Sequence, residues 1–385
     1  MTEDRAALAG QLMAGFADRT GLTSSRPPRR YLWTDAFAVC NFISLGDIAL
    51  ALRLVDQVHH TLGRHREDDP RQGWIGPIRG QDEAHPTRGG LRIGKELPER
   101  PPDEPFDDQL EWEREGQYFH YLTRWMHALD QLSRATGDPV FNLWARELAD
   151  VAHRAFTRDG RMAWKMSVDL TRPLVPSMGH HDPLDGYVTC LALEATASEL
   201  GTSSEGPSLT DAIADFAAMI PSDLSTTDPL GLGGLLTDAW WLAALRGEAG
   251  ATRHDDLLGR LVVAARWGLE ASDWARLLQL PAGSRLAFRE LGLAIGLAAV
   301  PLLGEVDARC ADRLGAFVPL RSAIESFWTL PVHRAEASWR DHQDINDVML
   351  ATSLMPSGYL LRDLVAAGNP AAGNTVDIGW PPMYH

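Results

Sequence analysis

Apolar side chains recur at helical spacing along most of this chain, and the stretch from Gly116 to Gly160 shows the pattern clearly. One helical face carries Tyr118, Leu122, Trp125, Leu129 and Leu132. The pattern stops at Thr136-Gly137-Asp138-Pro139, where glycine suits the end of one helix and aspartate with proline suits the start of the next. A second apolar face follows, with Phe141, Trp144, Leu148, Val151 and Ala155. The stretch therefore predicts a helical hairpin.

The same alternation continues along the chain. Helices that are apolar nearly all round are predicted for Thr34–Leu45, from Gln117, for Asp182–Leu200, Asp228–Leu245 and Ser284–Leu303, and from Asp341. More amphipathic helices are predicted between them, for Asp47–Leu62, Pro139–Phe156, Asp211–Met219, His254–Leu278, Val306–Glu325 and Tyr359–Ala367. A helix that is apolar all round is buried on every side, so the alternation indicates an inner and an outer layer.

An open stack of such hairpins would need polar capping repeats at both ends, and neither terminal pair has that character. Closure into a ring hides both ends and lets one domain reach this length. We therefore predict an all-α fold, an (α/α)6 toroid of six helical hairpins that forms a single domain over residues 1–385. The segment 64–115 is rich in proline, glycine and charge, and is predicted to be a long irregular insertion after the first hairpin, at the rim of a cleft.

Composition narrows the partners and the compartment. The formal net charge of −16 argues against nucleic acid and against anionic membrane surfaces. The three cysteines lie far apart with no CxxC spacing, which argues against a structural zinc site and suits free thiols in a reducing compartment. The N-terminal residues lack the pattern of a signal peptide, and no stretch is predicted to span a membrane. The expectation is a cytoplasmic protein without cofactor or metal, and its oligomeric state stays open.

This alternation of inner and outer helices resembles the six-hairpin toroid superfamily. The superfamily includes glycoside hydrolases, unsaturated glucuronyl hydrolases and N-acylglucosamine 2-epimerases. The segments Tyr31-Leu32-Trp33-Thr34-Asp35 and Gly179-His180-His181-Asp182-Pro183 are similar to the rim motifs of such barrels, without matching one named family. The resemblance implies a cleft at one end of the ring, lined by the segments that lead into the inner helices, and a carbohydrate as the small-molecule substrate.

Those segments carry a mixture of aromatic, acidic, basic and amide side chains that suits a sugar. Tryptophan faces can cover the C–H face of a pyranose, and the chain has 13 tryptophans against 6 tyrosines. Carboxylate, arginine and amide groups can bind its hydroxyls. The predicted substrate-binding residues are Trp33, Trp74, Glu115, Gln117, Tyr118, His180, Arg285, Arg289, Glu290, Trp339, Arg340 and Asn346. Together with Arg79, three of these arginines make a uronate-containing substrate conceivable.

Paired carboxylates are the minimum equipment for glycoside hydrolysis, because one must donate a proton and the other must attack or activate water. The predicted catalytic carboxylates are Asp35, Asp182, Asp185 and Asp344. Asp182 and Asp228 each precede a proline, so helix capping is a competing interpretation for both. A glycoside hydrolase acting on an oligosaccharide is the preferred function.

Two alternatives remain open. His181 and His342 lie at the starts of two inner helices, and a histidine pair across a sugar could exchange a proton in a 2-epimerase or an aldose–ketose isomerase. Adjacent histidines such as His180 and His181 cannot easily point at one ion from a rigid turn, so no metal site is predicted. The last alternative is a carbohydrate-binding or scaffold protein without catalytic activity.

Overall fold

The structure is a computed structural model that describes residues 2–76, 82–245 and 252–363. Helices dominate the described part of the chain. Their bounds are Thr2–Arg19 (α1), Leu32–Ser44 (α2), Ile48–Leu62 (α3), Asp108–Glu113 (α4), Phe119–Thr136 (α5), Pro139–Phe156 (α6), Asp182–Glu199 (α7), Thr210–Met219 (α8), Pro229–Ala244 (α9), Thr252–Ala271 (α10), Trp274–Leu277 (α11), Ala287–Val306 (α12), Ala308–Leu314 (α13), Val318–Trp328 (α14), Pro331–Arg334 (α15), Ala337–Arg340 (α16) and Gln343–Leu354 (α17). Short 3₁₀ turns span Ala282–Ser284, Gly315–Phe317 and Pro356–Gly358.

The inner helices form a closed ring. In ring order, α2 packs on α5, α5 on α7, α7 on α9, α9 on α12 and α12 on α17, and α17 returns to pack on α2. These helices are buried around most of their circumference, as their apolar composition predicts. The outer helices α3, α6, α8 and α10, and the pair α13 and α14, pack on α2, α5, α7, α9 and α12 respectively. The predicted (α/α)6 toroid is confirmed.

The sixth hairpin is built differently from the prediction. The outer partner of α17 is α1, whose apolar stripe of Ala9, Leu12, Met13 and Phe16 is buried. The predicted helix Tyr359–Ala367 is wrong over 359–363, where the chain is not helical, and 364–367 lie outside the described residues. Ser44 is the physical reason, because its hydroxyl donates to the Met355 carbonyl (2.8 Å) and accepts from the Gly358 amide (2.7 Å), which turns the chain back toward α2.

Short strands stand beside the start of α5. Gln117–Tyr118 (β1), Lys165–Met166 (β4) and Pro173–Val175 (β5) form an antiparallel sheet in the order β1-β4-β5. Thr157–Arg158 (β2) and Arg161–Met162 (β3) form a hairpin whose two turn residues, Asp159 and Gly160, both have positive φ. Strands of two or three residues are too short to leave a period of two in the sequence.

The segment 64–115 contains α4 and is tied to the start of α5. The Arg92 guanidinium donates to the Glu115 carboxylate (2.5 Å) and to the carbonyl oxygen of Arg64 (2.6 Å). The Gln117 side chain accepts from the Leu91 amide (2.8 Å). Residues 77–81, which include Arg79, lie outside the described residues. The extent of the domain and the rim role of this segment stay predictions.

Glycines bring α9 and α12 into close contact. A Cβ added at Gly233 would lie 2.1 Å from the carbonyl oxygen of Gly292, and one added at Gly296 would lie 2.5 Å from the carbonyl oxygen of Gly233. Any larger residue at these positions would push the two helices apart. The close contact of α9 and α12 sets the shape of the part of the ring interior that these two helices line.

Helix α12 is the one helix in the described ranges that is long and apolar enough to cross a membrane, and 67% of its most apolar stretch is buried inside the fold. It is flanked in the ring by α9 and α17 and covered by α13 and α14. Its apolar character is explained by this central position. A cytoplasmic location stays a prediction.

Candidate active site

A cavity of about 260 Å³ lies inside the ring. All of the inner helices contribute to its wall, mostly from their N-terminal halves. The lining residues are Trp33, Phe37, His120, Arg124, Trp164, His181, Asp182, Asp185, Asp228, Leu230, Gly231, Gly233, Gly234, Thr237, Asp238, Gly292, Ile295, Met349 and Tyr359.

The hydrogen-bonding groups are concentrated on α5, α7 and α9. The Arg124 guanidinium on α5 donates to the Asp185 carboxylate on α7 (2.9 Å), and Asp185 also shares a hydrogen bond with Asp238 on α9. Burial and the charge of Asp185 raise the pKa of Asp238 well above its ordinary value. Asp238 is therefore a neutral acid that donates its proton to Asp185, which joins three neighbouring helices.

Asp182 stands at the first position of α7 and is buried. Burial, with the nearby charge of Asp185, raises the pKa of Asp182 to about 7. One of its oxygens accepts from the Gly179 amide (3.2 Å), so it braces the turn before the helix instead of capping the helix itself. By contrast, Asp228 is a true N-cap that accepts from the Gly231 amide (3.0 Å). Asp182 is thus a carboxyl group that can give up a proton near neutral pH.

Two imidazoles line the same wall, and both are neutral at pH 7. Burial lowers the pKa of His120 to about 4, and its Nδ1 is buried without a hydrogen-bond partner among the described residues. Burial also lowers the pKa of His181. Nε2 of His181 donates to the carbonyl oxygen of Leu224 (3.0 Å), which leaves Nδ1 as its basic nitrogen.

The opposite wall is apolar and aromatic. Trp33 and Phe37 on α2 pack with ring centroids 4.6 Å apart, and Phe37 stacks on Tyr359 at 4.9 Å. Helix α12 contributes Gly292 and Ile295 and α17 contributes Met349. Within the described lining, α12 and α17 supply no polar side chain, so the cavity has a hydrogen-bonding half and an apolar half.

The floor of the cavity is made by the segment after α17. One face of α5 holds it: the Tyr359 hydroxyl accepts from Arg124 (3.3 Å), and the Tyr359 carbonyl accepts from His127 (2.9 Å) and Gln131 (3.3 Å). Arg134, one turn further on, donates to the carbonyl oxygen of Arg362. Since Arg124 also binds Asp185, the floor is linked directly to the carboxyl groups.

Of the predicted catalytic residues, the structure brings His181, Asp182 and Asp185 together in the cavity. Asp35 is buried elsewhere beside Arg30 (3.4 Å), where burial raises its pKa to about 6 and it accepts from the Tyr31 amide (2.8 Å). Asp344 forms ion pairs with Arg19 and Arg29. His342 is exposed and does not line the cavity.

Of the predicted substrate-binding residues, the structure places only Trp33 in the described cavity wall. Several of the others are occupied in packing or hydrogen bonds elsewhere: Glu115 with Arg92, Gln117 with Leu91, Trp74 against His60, Arg285 with Glu290, Arg289 with Asp228, Trp339 with Asp347, and Asn346 with the Trp339 carbonyl. Tyr118 is buried against Trp164, and His180 and Arg340 are exposed.

The sequence-based choice omitted several groups that line the cavity, namely His120, Arg124, Trp164, Asp238 and Tyr359. Asp238 had a signal, because it is the sole charged residue in the apolar run of α9. Arg124 follows His120 by four residues on a buried helix, which also marks an inward polar face. Tyr359 and Trp164 lie outside regular helices and carried no comparable pattern.

No protein-family model matches the chain, and no curated protein matches it. Among solved structures, the chain is similar to cellobiose 2-epimerase from Spirochaeta thermophila DSM 6192. The similarity covers 84% of this chain and 86% of that chain, with 12% sequence identity and a TM-score of 0.46.

Proposed function

We propose that the protein is an enzyme that binds a small neutral sugar in the central cavity and isomerises or epimerises it by acid–base catalysis. The observation that carries the proposal is the pairing of a protonatable carboxyl group, Asp182, with the neutral imidazoles of His181 and His120 in one small cavity. Proton transfer by such groups is what an enolisation needs from a protein.

The two halves of the wall match the two faces of a sugar. Asp185, Asp238 and Thr237 can exchange hydrogen bonds with hydroxyl groups, and Trp33 with Phe37 can cover C–H groups. Among the described lining residues the one cationic side chain is Arg124, and Asp185 already neutralises it. This arrangement favours a neutral sugar over a uronate. A volume of about 260 Å³ is at the small end for ligand sites and suits one sugar unit.

The chemistry would begin on an open-chain sugar. A neutral imidazole takes the proton from the carbon next to the carbonyl group, while Asp182 donates a proton to the carbonyl oxygen, giving an enediol. Return of a proton to the opposite face of the same carbon gives the epimer, and return to the neighbouring carbon gives the isomer. His181 immediately precedes α7, and His120 lies on the neighbouring inner helix α5, so His120 replaces the exposed His342 as second partner in this proposal.

Glycoside hydrolysis, the function preferred from the sequence, is the second candidate. It is favoured by the pKa of Asp182 near 7 and by the neighbouring carboxylate of Asp185. Asp185 is, however, held by Arg124 and by Asp238. Its oxygens are thus already engaged by two hydrogen-bond donors and are less free to attack a sugar or to activate water, so we place hydrolysis second.

The test is proton NMR in deuterated buffer, with the purified protein and a panel of neutral monosaccharides and disaccharides. We expect the signal of the proton at C2 of a free sugar or of a reducing-end unit to disappear, without chain shortening. Asp182→Asn and His181→Asn should each slow this exchange at least a hundredfold, within the range of general acid–base catalysis. The variant His342→Asn decides which histidine is the second partner. An unchanged exchange rate supports His120, and a loss as large as that of His181→Asn supports His342.

New anomeric signals from cleaved disaccharides, without exchange at C2, would overturn the isomerase and support the hydrolase. If no sample changes but sugars still bind, the protein is a carbohydrate-binding protein and neither enzymatic proposal holds.

A further inference from the structure

A large aromatic side chain is exposed directly outside the cavity. Trp112 on α4 is 47% exposed, and its ring packs edge-on against Trp164 with centroids 4.6 Å apart. Trp164 lines the cavity and stacks on His120 at 5.8 Å, with the two rings 9° from parallel. A continuous row of rings therefore leads from the catalytic imidazole to the surface.

The position of Trp112 is fixed by buried ionic contacts. Lys165, next in sequence to Trp164 and fully buried, donates to the Glu111 carboxylate (2.9 Å) and to the carbonyl oxygens of Glu111 (2.6 Å) and Arg114 (2.9 Å). Arg100 binds the same carboxylate (2.7 Å). The C-terminal half of helix α4 is thus clamped to Lys165, the residue that follows Trp164 and begins β4, so the exposed ring is held in one place before any ligand arrives.

A second exposed tryptophan provides a comparison for Trp112. Trp267 on the outer helix α10 is 51% exposed, but it does not line the cavity. Single exposed apolar residues of that kind are ordinary on protein surfaces. Trp112 differs because a clamped helix holds it against a residue of the cavity wall.

We propose that Trp112, together with Trp164, forms a second sugar subsite at the mouth of the cavity, so that the substrate is a disaccharide or a longer glycoside. The reacting unit occupies the cavity, and the next pyranose ring lies against Trp112 outside it. This inference rests on the proposed carbohydrate function. It also explains how a cavity sized for one sugar unit can serve a larger substrate.

The test is isothermal titration calorimetry with cellobiose, lactose and maltose against glucose and mannose. For the wild-type protein we expect at least one disaccharide to bind about tenfold more tightly than its single-ring partner, as one aromatic contact of about 1.4 kcal/mol would give. Trp112→Ala should remove this advantage and leave monosaccharide affinity unchanged. Trp112→Phe should keep most of it, and the matched control Trp267→Ala should keep all of it.

The outcomes separate the two proposals. If no disaccharide binds more tightly than its monosaccharide, or if Trp112→Ala keeps the advantage, the subsite is overturned and the proposed function stands. If no saccharide binds the wild-type protein, the proposed function is overturned and the subsite falls with it. A thermal melt of Trp112→Ala that matches wild type excludes misfolding. If the melt of Trp112→Ala differs from wild type, the affinities of Trp112→Phe are used to test the subsite instead.

Discussion

Three carboxyl groups share one wall of the cavity, and their surroundings give each a different state. Asp185 forms an ion pair with the Arg124 guanidinium, whereas burial and the charge of Asp185 raise the pKa of Asp238 well above its ordinary value. Asp182 lies between these extremes because its pKa is about 7. Identical side chains thus become an anion, a fixed hydrogen-bond donor and a titrating acid through position alone.

The raised pKa of Asp182 makes the stability of the protein depend on pH. The folded chain keeps this proton up to about pH 7, whereas an unfolded aspartate releases it near 3.8. The folded state therefore binds more protons in this interval and loses stability as the pH rises through it. We expect Asp182→Asn to reduce the fall in unfolding free energy between about pH 5 and about pH 7.5 by roughly 2–3 kcal/mol.

Urea denaturation at several pH values measures this effect. Asp159→Asn is the control, because Asp159 is exposed in a turn with positive φ that asparagine tolerates. Equal pH slopes for wild type and Asp182→Asn would show that Asp182 titrates normally in the folded protein.

Substitution at the other two carboxyl groups should have unequal effects. Asp238→Asn keeps a neutral donor and removes the cost of holding a proton that the unfolded chain releases above about pH 3.8, so at pH 7 it should not lower the unfolding free energy. Asp185→Asn leaves Arg124 without its counter-charge in a largely buried site and should cost about 3 kcal/mol. Both values come from chemical denaturation, and equal losses in the two variants would mean that Asp238 is charged in the folded protein.

At the scale of elements, the contact between α9 and α12 depends on glycine at particular positions. Gly233→Ala would place a methyl group 2.1 Å from the Gly292 carbonyl oxygen, and the helices must separate to accept it. We expect a loss of about 1–3 kcal/mol in unfolding free energy. Gly234→Ala is the matched control, since an added Cβ there meets nothing within 4 Å and helix propensity alone should stabilise by up to about 1 kcal/mol. Thermal denaturation of both variants checks the pair, and equal melting temperatures would contradict close packing at Gly233.

The floor segment is held to α5 by side chains at positions 124, 127, 131 and 134. Tyr359→Ala removes a buried ring that stacks on Phe37, and we expect a loss of about 3–5 kcal/mol. Tyr359→Phe keeps the ring and removes only the hydroxyl that binds Arg124, so about 1 kcal/mol should be lost. Chemical denaturation measures both changes, and a loss in Tyr359→Phe as large as in Tyr359→Ala would show that the hydroxyl, not the ring, secures the floor.

The sequence was most informative where one helix face decides the structure. The inner helices were predicted from their all-round apolar character, and the Asp-Pro dipeptides marked the starts of α7 and α9. The floor was missed because Tyr359 is placed by hydrogen bonds from α5, more than two hundred positions earlier. Contacts between distant parts of the chain also explain the other omissions. Asp182 was found from its local motif, whereas the importance of Arg124 and Asp238 comes from packing between helices.

At the scale of the whole molecule, the ring is completed by contacts between helices near the N-terminus and helices more than three hundred residues later in the chain. Arg5 on α1 binds Glu325 on α14 (2.7 Å), and the Asn41 side chain on α2 donates to the Val348 carbonyl on α17 (2.9 Å). Deletion of residues 2–19 would expose the face of α17 that α1 covers, and we expect the cooperative unfolding transition to be lost. Calorimetry decides this, because a single transition near the wild-type temperature would show that the ring closes without α1.

The contacts that close the ring can form only after most of the chain has been synthesised. Asn41 and its partner Val348 are 307 residues apart, and a ribosome adding about 5–20 residues per second makes that length in about 15–60 s. During this wait the faces of α1 and α2 that pack on α17 have no lasting partner, which exposes a nascent chain to aggregation and to chaperones. The cavity acquires its floor only when the segment around Tyr359 has left the ribosome, so a chain stalled earlier would carry every carboxyl group and imidazole of the site without the segment that closes the cavity beneath Arg124.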